Sequence, residues 1–186
     1  MTASTSEPAV RAVPDESPGA EAEPARKSLA LVASKCGLDE VYPVLIMAST
    51  AAALGWDTRV FCTFYGLDIV NPKRNKKLKV SAVGNAASPP PLERGPEFRV
   101  PTILGILPGM NWVATKMMKS WMKKSNIPDF SGMMDICLEN GVQFYACATT
   151  MGVMNVAQSD VMPEASCLGA TAFLDFAADA DIALFV

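Results

Sequence analysis

Cys147 is the residue in this chain whose surroundings are best suited to chemistry. It follows the run Val142-Gln143-Phe144-Tyr145-Ala146, whose β-branched, aromatic and apolar content predicts a short buried strand, with Gly141 marking its start. Thr149 and Thr150 come next, and either suits the cap of a short helix carrying Met151, Val153, Met154 and Val156. A thiol between a strand's carboxyl end and a helix's amino end meets oriented N–H groups and the positive end of the helix dipole, which favour the nucleophilic thiolate. The competing reading is that free cysteine is a small hydrophobe and is often simply buried.

The chain has five cysteines and no histidine. Without histidine there is no Ser-His or Cys-His pair and no His-containing zinc site, so a nucleophile must be activated by its surroundings. Cys36 falls in a predicted strand-to-helix loop, Cys62 in the second predicted strand among aromatic residues, and Cys137 and Cys167 in predicted helices where they act as packing. Ligands of an open parallel sheet gather beyond the carboxyl ends of its strands, an edge that receives Cys147, Cys36 and Cys62. Cys147 is therefore the expected catalytic thiol and Cys36 the auxiliary one. A resolving disulfide between them needs Cα atoms within about 7 Å.

The elements that must hold these thiols read as one α/β domain with a tail, as suits 186 residues at 50% hydrophobic content. Residues 1–26 are rich in Pro, Glu, Ala and Ser and are expected to be disordered, leaving a domain at 27–186. Strands are expected at 29–33, 57–64, 142–146 and 181–186, and helices at 39–54, 111–124, 131–140 and 163–179. This alternation predicts a single-domain parallel sheet flanked by helices. A segment at about 71–125 breaks the rhythm and reads as an insertion, first basic (Lys73-Arg74-Asn75-Lys76-Lys77-Leu78-Lys79), then proline-rich, then Met-rich. Its helix puts Ala114, Met117, Met118, Trp121 and Met122 on one side and Lys116, Lys119 and Lys123 on the other, a pattern for subunit contact or peripheral membrane contact. Pro108-Gly109 and Lys116 leave the apolar stretch too short to span a bilayer.

Unpaired cysteine spacing and the lack of a secretory start imply a reducing, cytoplasmic setting. The net charge of −3 equals that of the tail alone, where Glu7, Asp15, Glu16, Glu21 and Glu23 face Arg11 and Arg26, so the domain is formally neutral and offers no nucleic-acid footprint. No phosphate-binding glycine motif or metal-ligand cluster is present, so no cofactor and no metal is expected.

Three stretches carry a resemblance to a known family. They are residues 51–67 with Thr63-Phe64-Tyr65-Gly66-Leu67 at their end, the Met-rich residues 110–136, and Gly141-Val142-Gln143-Phe144-Tyr145-Ala146-Cys147 followed by Met151 and Met154. Across about 27–186 the chain resembles the DsrE/DsrF-like sulfur-relay proteins, in their peroxiredoxin-like branch. The resemblance implies a parallel α/β sheet, homo-oligomers, and a cysteine, here Cys147, that carries sulfur as a persulfide. It also implies partner proteins that give or take sulfur, rhodanese-like or TusA-like. Cys36 and Cys62 are not matched to the family, and the acidic tail and the insertion depart from it. Two functions are therefore weighed: a sulfur carrier or sulfurtransferase acting through Cys147, and a non-enzymatic oligomeric assembly module using the Met-rich helix. A peroxidase ranks below both, because no cysteine lies in the P-x-x-x-T/S-x-x-C pattern.

Overall fold

Strand β1 (Ser28–Ala33) is apolar on both faces, with Leu29, Leu31 and Ala33 pointing one way and Ala30 and Val32 the other. Such a strand needs cover on both sides, which a parallel α/β sheet supplies. The computed structural model describes residues 26–80 and 109–186. Nearly all of the expected acidic tail and the middle of the expected insertion lie outside the described residues.

After β1 come α1 (Leu38–Ala53), β2 (Asp57–Cys62), α2 (Met110–Lys124), α3 (Phe130–Glu139), β3 (Gln143–Cys147), α4 (Ala148–Val153), β4 (Ala165–Leu168), α5 (Ala170–Ala178) and β5 (Ile182–Phe185). The five strands form one sheet in the order β4-β3-β2-β1-β5. Every pairing is parallel. The fold is the expected one, a single parallel sheet flanked by helices.

The two faces of the sheet are unequal. One carries α1 and α3 over the main core, where Leu31, Val44, Leu45, Val60, Leu67, Ile69 and Phe144 are fully shielded from solvent. Each such side chain contributes about 1.5–3 kcal/mol of burial. The other face carries α5 over a small cluster of Ala30, Phe61, Phe173 and Cys147, in which the Phe61 and Phe173 rings stack at 4.7 Å.

The sequence expectation fails for residues 163–179. Instead of one helix, the chain forms edge strand β4 and then α5, with Gly169 as the N-cap between them. Cys167 therefore lies on a strand, beside Ala146 of β3, and its sulfur meets that of Met151 at 3.4 Å. The four residues Ala-Ser-Cys-Leu lack β-branched and aromatic content, and pairing with β3 overrides their weak local preference.

Part of the expected insertion is folded onto the core. Residues 64–70 and 75–77 form 3₁₀ turns, and Asn71 and Asn75 are buried. The Asn71 side chain accepts from the Lys73 N–H at 3.0 Å, and the Asn75 amide donates to the Ile69 carbonyl at 3.3 Å. Helix α2 turns Thr115, Met118 and Met122 inward, and the Thr115 hydroxyl accepts from the Val80 N–H at 3.0 Å. Met117 faces outward with Trp112 and Val113, so the predicted methionine stripe is divided between core and surface. Among the described residues no helix is long and apolar enough to cross a membrane.

Candidate functional site

Register places Cys147. Cys62, the last residue of β2, lies opposite Ala146, so Thr63 follows β2 as Cys147 follows Ala146 on β3. Helix α4 begins immediately afterwards, and Cys147 is its N-cap with extended backbone angles. The helix thus starts earlier than a Thr149 or Thr150 cap would give, and both threonines fall in its first turn.

The first turn and the β2 exit meet beside Cys147. The Thr63 hydroxyl donates to the Thr150 hydroxyl at 3.4 Å, and the Thr150 hydroxyl donates to the Cys147 carbonyl at 3.1 Å. Burial pushes the Cys147 thiol up, but it is opposed by the Thr150 hydroxyl and N–H, the Thr63 hydroxyl and the Thr149 N–H. The hydrogen bonds win, and the thiol is held below its ordinary value. A hydroxyl rotates to suit its partner, so the Thr150 proton that bonds the carbonyl beside a neutral thiol can turn to a thiolate. Cys147 is 4% exposed and packs in a cluster with Phe61 and Phe173. Exposed Thr149 lies next to it in the chain, and exposed Phe64 and Tyr65 follow Thr63.

The other thiols lack this environment. Burial pushes Cys62 up to about 12. It does the same to Cys137, also to about 12, despite opposing hydrogen bonds from Ser49. The Cys137 thiol donates to the Leu45 carbonyl at 3.5 Å, as suits the packed residue expected from sequence. Cys36 is half-buried, and desolvation, then the charges of Asp68 and Glu40, push it up against the pull of Arg74.

The structure does not bring Cys36 to Cys147. All five cysteines are free, and Cys36 packs toward the α1 face whereas Cys147 packs beneath α5. Strand β2 stands between β1, whose exit loop carries Cys36, and β3, which carries Cys147. Cys36 opens instead into a separate cavity. Cys62 is on the expected sheet edge, but its side chain lies in the main core on the opposite face from Cys147.

Sequence reasoning missed Thr63 as a partner of the sulfur. It stood in the Thr63-Phe64-Tyr65-Gly66-Leu67 stretch that carries the resemblance, but its position directly after β2 becomes informative only once β2 and β3 are known to be neighbours. Among the described residues no group of side chains is suited to hold a metal ion.

The comparisons bear on the family and the fold. The model of the DsrE/DsrF/DrsH-like family matches residues 25–185. The chain belongs to that family. It is 38% identical over 162 residues to the sulfur carrier protein DsrE2 of Allochromatium vinosum, covering 87% of this chain and 99% of that protein. It is also 25% identical over 150 residues to the uncharacterized protein YrkE of Bacillus subtilis, covering 80% of this chain and 89% of that one. The crystal structure of the ychN protein from E. coli has the same fold, with a TM-score of 0.50 at 10% identity over 87% of this chain and 99% of that one. For this DsrE-like chain, family and fold are thereby fixed, and the site just described lies within the matched residues.

Proposed function

We propose that this chain is a sulfur carrier that holds sulfane sulfur as a persulfide on Cys147 and relays it to a partner thiol. The observation that carries the reading is the position of Cys147, the last residue of β3 and the N-cap of α4, beside the hydrogen-bonded Thr63 and Thr150 hydroxyls, where the thiol is held below its ordinary value. The relative named as a sulfur carrier protein supports it.

The chemistry needs no cofactor. The Cys147 thiolate attacks the terminal sulfur of a donor persulfide, a new S–S bond forms on Cys147, the donor's S–S bond breaks, and the donor leaves as a thiolate. An acceptor thiolate then attacks the outer sulfur on Cys147, which is released as the thiolate it began as. The hydrogen bonds that stabilise the thiolate also make it a good leaving group, so one arrangement serves both steps.

Donor and acceptor are proteins in this reading, of rhodanese-like or TusA-like kind. The exposed rings of Phe64 and Tyr65 beside Thr63 offer them an apolar contact. Self-association belongs to the same reading and is supported by exposed Ile182, Leu184 and Phe185 on edge strand β5, with Leu174 on α5. Sedimentation of the full chain is expected to report an oligomer, and a monomer at micromolar concentration would remove that part.

The carrier reading is tested by mapping. No Lys or Arg follows Lys124, so tryptic cleavage leaves Cys137, Cys147 and Cys167 on one peptide, whereas cleavage after Glu139 and Glu164 separates them. After exposure to a persulfide donor the added sulfur is expected on the peptide containing Cys147. Sulfur found first on Cys36 or Cys167 would reject the assignment.

A further inference from the structure

Beyond the exits of β1 and β2, on the α1 side of the sheet, lies a cavity of about 670 Å³ that does not include Cys147. Five cations line it, Lys35, Lys73, Arg74, Lys77 and Lys79, against two carboxylates, Glu40 and Asp68. Both carboxylates already have partners in the fold. Glu40 accepts from the Gly37 N–H at 3.1 Å, capping α1, and pairs with Lys35 at 3.4 Å; Asp68 pairs with Arg74 at 3.1 Å. Lys73 reaches Asp160 at 2.7 Å. Among the described residues Lys77 and Lys79 make no ion pair. Among the described residues the lining therefore holds more cations than carboxylates, and the amino end of the 16-residue helix α1 adds to the positive charge.

A run of cations is usually a solvated face, but this one is held by its backbone. Buried Asn71 and Asn75 fix the turn that carries Lys73, Arg74 and Lys77, and the Lys79 carbonyl accepts from the Leu38 N–H at 2.9 Å. Like charges fixed around a concave surface repel one another, and an anion between them relieves that repulsion. The volume is within the range of small-molecule sites. The half-buried Cys36 thiol forms part of the wall.

We infer that this cavity is a second site, which binds a small dianionic oxyanion of sulfur or phosphorus between Lys77, Lys79 and the Lys35–Arg74 wall, with Cys36 beside it. The inference does not depend on Cys147 carrying sulfur.

Cys36 reports on occupancy. The full-length protein is treated with neutral iodoacetamide in the presence of sulfate, of phosphate, or of chloride at equal ionic strength, and alkylation of Cys36 and Cys147 is followed by peptide mass. Sulfate or phosphate is expected to slow Cys36 labelling about threefold or more relative to chloride while leaving Cys147 labelling unchanged. Protection by sulfate alone assigns a sulfur oxyanion, by phosphate alone a phosphoryl group, and by both the shared charge and shape; each supports the site. The double variant Lys77→Gln/Lys79→Gln, at two exposed positions, is expected to raise the half-effective anion concentration about fivefold to tenfold. Protection no greater than chloride's, or protection unchanged in the double variant, overturns the inference. Cys147→Ser must retain the protection, which separates this result from the fate of the carrier reading.

Discussion

Gly66→Ala is expected to destabilise the protein by about 3 kcal/mol and to lower its melting temperature by roughly 6–12 °C. A Cβ at Gly66 would collide with the Ala33 carbonyl oxygen and stand 2.8 Å from the Ala33 carbonyl carbon. Neither atom is free to move. The Ala33 carbonyl also accepts from the Thr63 N–H at 2.9 Å, and Ala33 pairs with Cys62 in the centre of the sheet. The Gly66 N–H in turn donates to the Thr63 carbonyl at 2.9 Å, so displacing Gly66 also displaces Thr63. Loss of stability should therefore be accompanied by a rise in the Cys147 thiol, read as slower alkylation at neutral pH. Gly152→Ala is the control: its added Cβ meets nothing within 4 Å and lies in helix α4, where alanine is the better helix former. Thermal denaturation of the two variants checks the argument, and equal melting temperatures would refute it.

Thr150→Val is expected to slow alkylation of Cys147 about tenfold at pH 7, roughly the effect of one lost hydrogen bond to a charged group. Thr150 is buried and is the largest single source of the hydrogen bonding that lowers the thiol. The sign follows from the ionisation. Lowering the thiol makes the thiolate the favoured form at lower pH, so removing the donor raises the pH at which Cys147 becomes reactive. Above both ionisation points the variant and parent rates should converge, and Thr150→Ser, which keeps the hydroxyl, should follow the parent. Stability shifts in the same direction. A lowered thiol contributes stability that is fully present above the unfolded value of about 8.5 and is lost as pH falls through the folded value. The Thr150→Val variant should therefore show a smaller loss of stability as pH falls below the unfolded value, measurable by urea unfolding. A rate profile that superimposes on the parent's would show that the hydroxyl does not act on the sulfur.

Much of this site was legible in the sequence because its signals are local. The strand that ends at Cys147 carries two adjacent aromatic residues, Phe144 and Tyr145, and β1 and α1 carry long apolar runs with clear ends. What escaped depended on pairing between distant segments. Thr63 became a partner of Cys147 only through the β2–β3 register. Strand β4 had no pattern of its own, and Gly169 was the local clue that the supposed helix had to break there. The shared rim of three thiols also dissolved in three dimensions, because strand alternation and strand order separate residues that sequence places alike at strand ends. The basic run looked like a solvated insertion because its two anchors, Asn71 and Asn75, are polar residues that give no hydropathy signal when buried.

Intact mass spectrometry of the parent and of Cys147→Ser, each incubated with the same persulfide donor and then freed of it, tests the central claim most directly. The account predicts that the parent gains the mass of one sulfur atom, loses it on addition of an acceptor thiol, and that Cys147→Ser gains none. Equal sulfur uptake by the two proteins would contradict it.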